Sequence, residues 1–391
     1  MKDKVLYISA FNPFSPIGGG NQRCFNLLKV LCERYAVDIV IDFDKFIPDS
    51  ICKYRDVKVL NLETKPTPIV SRIIHRLKSI MGLIQYERFL IPSNLSRAKS
   101  LHILLKQNEY KFVIIRYIYM ISYYRLYDVG NMILDIDDLP TQKFQSELLF
   151  NNQFLTKKEK KKLKQLSIIQ KKIAEKALIS FLPDKKHLHY FNNCHYLPNI
   201  PIEPHTDIIR RPSTKIIFVG SMNQNMNYNG VDHFVTNIWP HIFRKHSDFE
   251  FHIIGKGTPN QYVQKWKKIH GVKLRGFVDD LFAEYMQAYL AVTPIYNGAG
   301  TNIKVLESLT YKCPVVVTRF AYRGFENILI PGKDILIADS DIEFISVVNF
   351  LIENHYIAEE IANNGHLVVK KEYTMRELSN CFYKAIDSLS K

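Results

Sequence analysis

Two rounds of one rhythm, an unbroken apolar strand, a glycine-bearing loop, a helix and a second apolar strand, confine this chain to parallel α/β architecture. The first round starts with the apolar run 4–10 and the Pro/Gly-rich loop 12–20. Helical spacing through Phe25, Leu27, Leu28, Leu31 and Tyr35 follows, and then the strand 37–41. Further strands are predicted at 57–60, 112–116 and 132–134, and helices at 71–84, 93–106 and 156–177. After the polar, proline-containing stretch 203–213 the rhythm restarts. It gives strands at 215–219, 249–254, 290–294, 315–318 and 335–338 and a helix at 231–243. The reading is two Rossmann-like domains facing across a cleft: 1–202, a linker at 203–213, then 214–373, with an amphipathic helix at 374–391 free to pack on either domain.

Composition narrows the classes. With 47% hydrophobic and 23% charged residues among 391, the chain carries a core for about two domains and is not of the disordered type. No stretch approaches the ~20 continuous apolar residues of a membrane span, and the first apolar run is too short for a secretory leader. The expectation is a cytoplasmic protein, soluble or peripheral on the inner face of the cell membrane. Six scattered cysteines show no zinc-site spacing and read as reduced thiols. The net charge of +15 sets up a field attractive to nucleic acid, anionic membrane or phosphorylated substrates.

The most informative segment runs from Pro294 through Gly298, Gly300, Thr301, Asn302, Lys304 and Glu307. It passes from a strand end through a glycine loop into a helix. Gly298 and Gly300 let backbone approach a ligand, and the amides of Gly300, Thr301 and Asn302 at a helix start favour a diphosphate. Lys304 adds a full charge. Glu307, three residues on and on the same face, is placed to accept hydrogen bonds from ribose hydroxyls. The plain alternative is an exposed i, i+3 ion pair. The position at the carboxyl end of a strand, where open α/β sheets bind ligands, favours the nucleotide.

These residues resemble the donor loop of family 4 retaining glycosyltransferases of GT-B fold, in the branch reading Gly-x-Gly-Thr-x-x-Lys-x-x-Glu followed by Pro-Val-Val, here Pro314, Val315 and Val316. The resemblance extends over Gly220 with Asn229, Trp239 with Pro240, Gly255 with Gly257, and Gly276 to Val278. It implies that the loop and Lys304 hold the donor diphosphate, that Glu307 binds ribose, and that Val278 lies near the base. Ala299 stands where many relatives carry a second glutamate contacting the transferred sugar, so the pattern identifies the nucleotide and not the sugar.

In the first half, Gly18, Gly19 and Gly20 open the first helix at a sheet edge. The dinucleotide spacing is absent, and the resemblance implies a loop closing over donor phosphate and acceptor through Gly19 and Gly20. Arg23 reads as a phosphate contact or a solvated residue. Asp135, Asp137 and Asp138 end a strand and repel one another unless compensated, by a metal in one reading. In the other, Asp137 and Asp138 orient an acceptor hydroxyl or cap a helix, Asp137 occupying the position of a histidine in relatives. Nine lysines between 157 and 176 surround Leu155, Leu163, Leu166, Ile169 and Ile173, and Arg72, Arg76 and Lys78 flank a second apolar stripe. Such stripes are solvated faces or membrane-surface helices.

The resemblance therefore implies sugar transfer from a nucleoside-diphosphate sugar to a glycan or lipid-linked acceptor of a bacterial surface polysaccharide. Lys304, Asp137 and Asp138 are the catalytic candidates, and neither a metal nor a cofactor beyond the donor is expected. Two other readings remain, a nucleotide-binding scaffold without transfer and a basic nucleic-acid-binding protein. The latter lacks a recognition module.

Overall fold

The computed structural model describes residues 2–16, 18–42, 56–62, 73, 91, 93–151, 154–204 and 206–390. The chain forms two compact units, Met1–Pro198 with Leu378–Lys391, and Asn199–Glu377.

Among the described residues the first unit holds β1 (Lys4–Ser9), β2 (Ala36–Ile41), β3 (Val57–Val59), β4 (Phe112–Arg116), β5 (Met132–Asp135), β6 (Ile179–Leu182) and β7 (Cys194–Tyr196). They form one parallel sheet in the order β3-β2-β1-β4-β5-β6-β7. β1 lies between β2 and β4 and is buried from Val5 to Ser9, which is why it reads as an unbroken apolar run. The strand order reverses between β1 and β4, the place where an open sheet leaves a crevice at its carboxyl edge. β6 and β7 have no counterpart in the sequence reading. The predicted helix 71–84 with Arg72, Arg76 and Lys78 lies outside the described residues apart from Ile73.

The lysine-rich helix spans Lys157–Ala174, opened by a capping box in which Thr156 and Glu159 satisfy each other's backbone N–H groups. Its apolar stripe turns inward: Leu166, Ile169 and Ile173 are buried, the last two in the core cluster of the sheet. The sequence offered that stripe to a membrane; most of it is spent on the core instead.

The second unit holds β8 (Lys215–Val219), β9 (Glu250–Ile254), β10 (Val272–Gly276), β11 (Leu290–Thr293), β12 (Val315–Val317) and β13 (Leu336–Ile337), again parallel, in the order β10-β9-β8-β11-β12-β13. Its switch point falls between β8 and β11. The helix expected at 231–243 begins earlier, at Asn225, and runs Asn225–His233, through one wide π turn at Phe234–Ile238, into Trp239–Lys245. The asparagine-rich start reads as loop, and the wide turn precedes Pro240, which has no N–H to give an ordinary helix. The C-terminal helix Met375–Asp387 packs from Leu378 onward on the first unit. Phe382 stacks on Phe181 at 5.3 Å, and Asp387 pairs with Arg34 at 3.0 Å.

Candidate active site

At the carboxyl edge of the second sheet, β8 is followed directly by Gly220 and β9 by Gly255. A Cβ on Gly255, whose φ is +147°, would sit 1.8 Å from the Gly220 carbonyl oxygen, so the two strand ends approach as only glycine allows. A Cβ on Gly220 would lie 3.0 Å from Asn227 Nδ2 and 3.1 Å from the Phe218 ring. Asn227, on the helix that follows, is buried and joins two parts of the site. Its Nδ2 donates to the Ser221 carbonyl at 2.8 Å, and its Oδ1 accepts from Lys304 Nζ at 3.0 Å.

Lys304 belongs to the eight-residue helix Ile303–Thr310, which starts beyond β11 with Asn302 at its N-cap. Seven of its residues are buried, Lys304 and Glu307 among them, so the exposed ion pair that a surface helix would carry is not what forms. Besides Asn227, Lys304 Nζ reaches Asn302 Oδ1 at 3.5 Å and lies 5.6 Å from the Phe218 ring centroid. Burial pulls its pKa from 10.5 down to about 8, against the opposing pull of the Glu307 charge. A cation kept in an apolar setting with few acceptors is set to gain from an incoming anion. Glu307 lies beside Tyr285 and Tyr311; burial first, then this carboxylate, pushes the Tyr311 phenol up to about 12.

The loop before the helix takes the conformations its glycines permit. Gly298 has φ +123° and Gly300 φ +71°, and a Cβ on Gly298 would fall 2.6 Å from Met226 Sδ. Thr301 Oγ1 accepts from Asn199 Nδ2 at 2.8 Å, and Asn302 Nδ2 donates to the Ala321 carbonyl at 3.3 Å. The far end of the helix is held by Gly365, where a Cβ would meet Leu309 at 2.7 Å, and by His366 Nδ1, 3.0 Å from the Thr310 carbonyl. Lys304, Gly220 and the 298–302 loop thus gather at one sheet edge. Val278, half-buried, lies two residues past the end of the edge strand β10, which β9 separates from β8. Asn227 and Asn199 escaped the sequence reading, since nothing local marks an asparagine 77 residues from Lys304 as its partner.

At the carboxyl edge of the first sheet, Gly19 begins the helix Gly19–Arg34, and Gly20 leaves room for the Phe11 ring, 3.1 Å from where a Cβ would be. Arg23 is neither solvated nor open to a phosphate. It is buried, grips Asp135 at 2.6 Å and donates to the Leu197 and Pro198 carbonyls. Arg116, fully buried, bonds Asp135 and Asp137, each at 2.7 Å. Two guanidinium groups therefore answer the carboxylate repulsion read from the sequence. Asp137 adopts φ +55° and also accepts from the Tyr117 hydroxyl at 3.3 Å. Burial and then the charge of Asp137 push the Asp138 carboxyl up to about 7. Among the described residues no group of three or more His, Cys, Asp and Glu side chains is arranged to hold a metal ion.

Comparison with known proteins bears on both units. Residues 213–354, which include Gly220 and the 298–307 segment, match the family model described as glycosyl transferases group 1. A Klebsiella pneumoniae protein, described as an uncharacterized 44.6 kDa protein in the cps region, is 21% identical over 176 residues; the match covers 43% of this chain and 45% of that protein, so the chain spans under half of that relative's length. Among solved structures, sucrose-phosphate synthase from Thermosynechococcus elongatus superposes with a TM-score of 0.72 at 14% identity, covering 99% of both chains. HepE of Anabaena, solved with UDP and glucose, gives 0.66 at 10% identity over 99% of this chain and 100% of its own. WaaG, a glycosyltransferase involved in lipopolysaccharide biosynthesis, gives 0.63 at 12% identity over 99% of each. At such identities the superpositions speak for the fold.

Proposed function

We propose that the chain, which has the GT-B fold and matches the glycosyl transferases group 1 model over residues 213–354, is a glycosyltransferase that moves a sugar from a nucleoside-diphosphate sugar to a glycan or lipid-linked acceptor, with retention of anomeric configuration, at the inner face of the membrane in bacterial surface polysaccharide synthesis. The observation that carries the donor reading is Lys304, buried at the start of a helix at the switch point of the second sheet and held by Asn227. In this reading the amides of Gly300, Thr301 and Asn302 and the Lys304 ammonium bind the diphosphate. Their charge stabilises it as the bond from phosphate oxygen to sugar carbon breaks, without a resident metal. Glu307 takes the ribose hydroxyls, and Gly220 and Val278 border the nucleotide. Gly19 and Gly20 serve the loop near the phosphates and acceptor, and Asp137 and Asp138 orient the acceptor hydroxyl. The donor in the HepE structures and the cps-region relative make a UDP-sugar and a surface polysaccharide the first candidates to assay.

The test is turnover. The protein is incubated with a panel of nucleoside-diphosphate sugars and lipid-linked or glycan acceptors, and the freed nucleoside diphosphate and glycosylated product are quantified. Lys304→Ala is expected to lower transfer by about 100-fold or more with the fold retained, the scale of losing one charge-stabilising group. Unaltered transfer by that variant would sink the assignment. Ala299, at the position of a sugar-contacting glutamate in the family 4 pattern, favours one other reading, a scaffold that binds the nucleotide without transfer. Nucleoside-diphosphate binding with no product from any donor and acceptor would establish it.

A further inference from the structure

The helices Pro140–Asn151 and Lys157–Ala174 pack against each other as an antiparallel hairpin between β5 and β6. At the sheet end the Thr141 backbone N–H donates to Gln170 Oε1 at 3.2 Å, and nearer the tip Lys162 Nζ lies 4.5 Å from the Phe144 ring centroid. The buried residues of the second helix begin only at Leu166, so its first nine residues project past the core. That overhang carries Lys157, Lys158, Lys160, Lys161, Lys162 and Lys164, all exposed. Beside them, Phe154 is 82% exposed, Leu149 44% and Phe150 42%. Glu159 spends its carboxylate on Thr156, and among the described residues the ion pairs of the lysine stripe are those of Lys171 with Glu175 and Lys176 with Asp128, at its other end.

We infer that this hairpin tip docks on an anionic membrane surface, the lysines facing lipid phosphates and Phe154, with Leu149 and Phe150, entering the headgroup boundary. A stably folded chain gains nothing from a phenylalanine ring held in water. Aromatic and aliphatic groups ringed by lysines match a surface that is negative outside and apolar just beneath. A solvated lysine stripe needs no such side chains, and single-stranded RNA, whose bases stack on aromatic rings, gives no apolar layer for the aliphatic Leu149 beside them. The inference deepens the reading that the acceptor is lipid-linked and rests on it only for its biological purpose. Its test involves no sugar donor, so loss of docking with transfer intact leaves the transferase assignment standing.

The full chain is floated with vesicles of phosphatidylcholine alone and of phosphatidylcholine in which one lipid in three is phosphatidylglycerol. The wild type is expected to float with the anionic vesicles only, and to be released by salt. Replacing four lysines together, Lys157→Gln, Lys158→Gln, Lys161→Gln and Lys162→Gln, costs about fivefold in partition for each, hence a fall of about 100-fold or more. Phe154→Trp reports burial of the ring as a blue shift of its emission on anionic vesicles, and Phe154→Ser lowers partition while keeping the salt dependence. All these positions are exposed, and a thermal melt confirms that each variant is folded. Equal flotation on neutral vesicles, a quadruple variant that floats like wild type, an emission from the Phe154→Trp variant that does not shift on anionic vesicles, or retention on single-stranded RNA without vesicle binding would each overturn the inference.

Discussion

Replacing Lys304 with Met separates what this side chain does for binding from what it does to the fold. Lys304 is 9% exposed, and its pKa lies at about 8 against an ordinary 10.5. At pH 7 the protein holds a charged ammonium that its surroundings disfavour, at a cost of ~3 kcal/mol for a displacement of this size. Lys304→Met removes that cost and fills the space with an unbranched apolar chain. It also leaves Asn227 Oδ1 without the donor 3.0 Å away, a loss of about 1–3 kcal/mol for a buried acceptor. The two terms nearly offset, so at pH 7 the variant should match or exceed wild-type stability by up to ~2 kcal/mol. The pH dependence isolates the first term. Below about pH 8 folded and unfolded wild type both keep the proton; between about 8 and 10.5 the folded state has released it while the unfolded state still binds it. Wild-type stability therefore gains up to ~3 kcal/mol from this group as pH rises through that window, and the variant gains nothing. Urea denaturation of both proteins at pH 7 and pH 10 measures the difference. A gap that stays constant across pH, or a variant more than ~3 kcal/mol weaker at pH 7, would refute the reasoning.

Other consequences are more local. Glu307→Gln should weaken nucleoside-diphosphate binding by about tenfold or more while leaving inorganic pyrophosphate untouched, as calorimetry with the two ligands will show, since only the nucleotide carries ribose. Gly230→Ala places a Cβ 1.9 Å from the Pro294 carbonyl oxygen, where the donor loop leaves β11. It should lower stability by about 2 kcal/mol or more and impair donor binding, read by denaturation and titration. Arg116→Ala leaves the buried Asp135 with Arg23 alone and the half-buried Asp137 without its guanidinium, and should cost about 3 kcal/mol in chemical denaturation. Because burial and the Asp137 charge hold the Asp138 carboxyl up at about 7, and only its carboxylate can take up the proton of an acceptor hydroxyl, transfer should rise with pH through about 7, a limb that Asp138→Asn removes from the pH–rate profile.

The parallel sheets were legible because buried strands read as apolar runs ended by glycine, as at Val5 to Ser9 and at Lys215–Val219 before Gly220. The placement of Lys304 and Glu307 on one helix face followed from spacing alone; that this helix is buried nearly all round depends on Gly365 and the helix His355–Glu372 packed over it, which no local pattern announces. Long-range polar pairing was equally hidden. Arg23 reads as a phosphate contact or a solvated helix residue, yet its partner Asp135 is 112 residues away, and the three-carboxylate run at 135–138 discloses nothing of Arg116. Periodicity in the lysine-rich helix gave the amphipathic face correctly, while its use, core packing from Leu166 onward and overhang before it, depends on where the sheet ends.

The central claim is that the segment from Gly298 to Glu307 holds a nucleoside diphosphate through Lys304. Isothermal titration of UDP and the other nucleoside diphosphates into wild type and Lys304→Ala addresses it directly. The account predicts saturable one-to-one binding of at least one of them to wild type, weakened about 30-fold or more in the variant at pH 7, the worth of a charge-assisted contact in a desolvated site. Equal affinity in the two proteins, or no binding by a folded wild type, would contradict it.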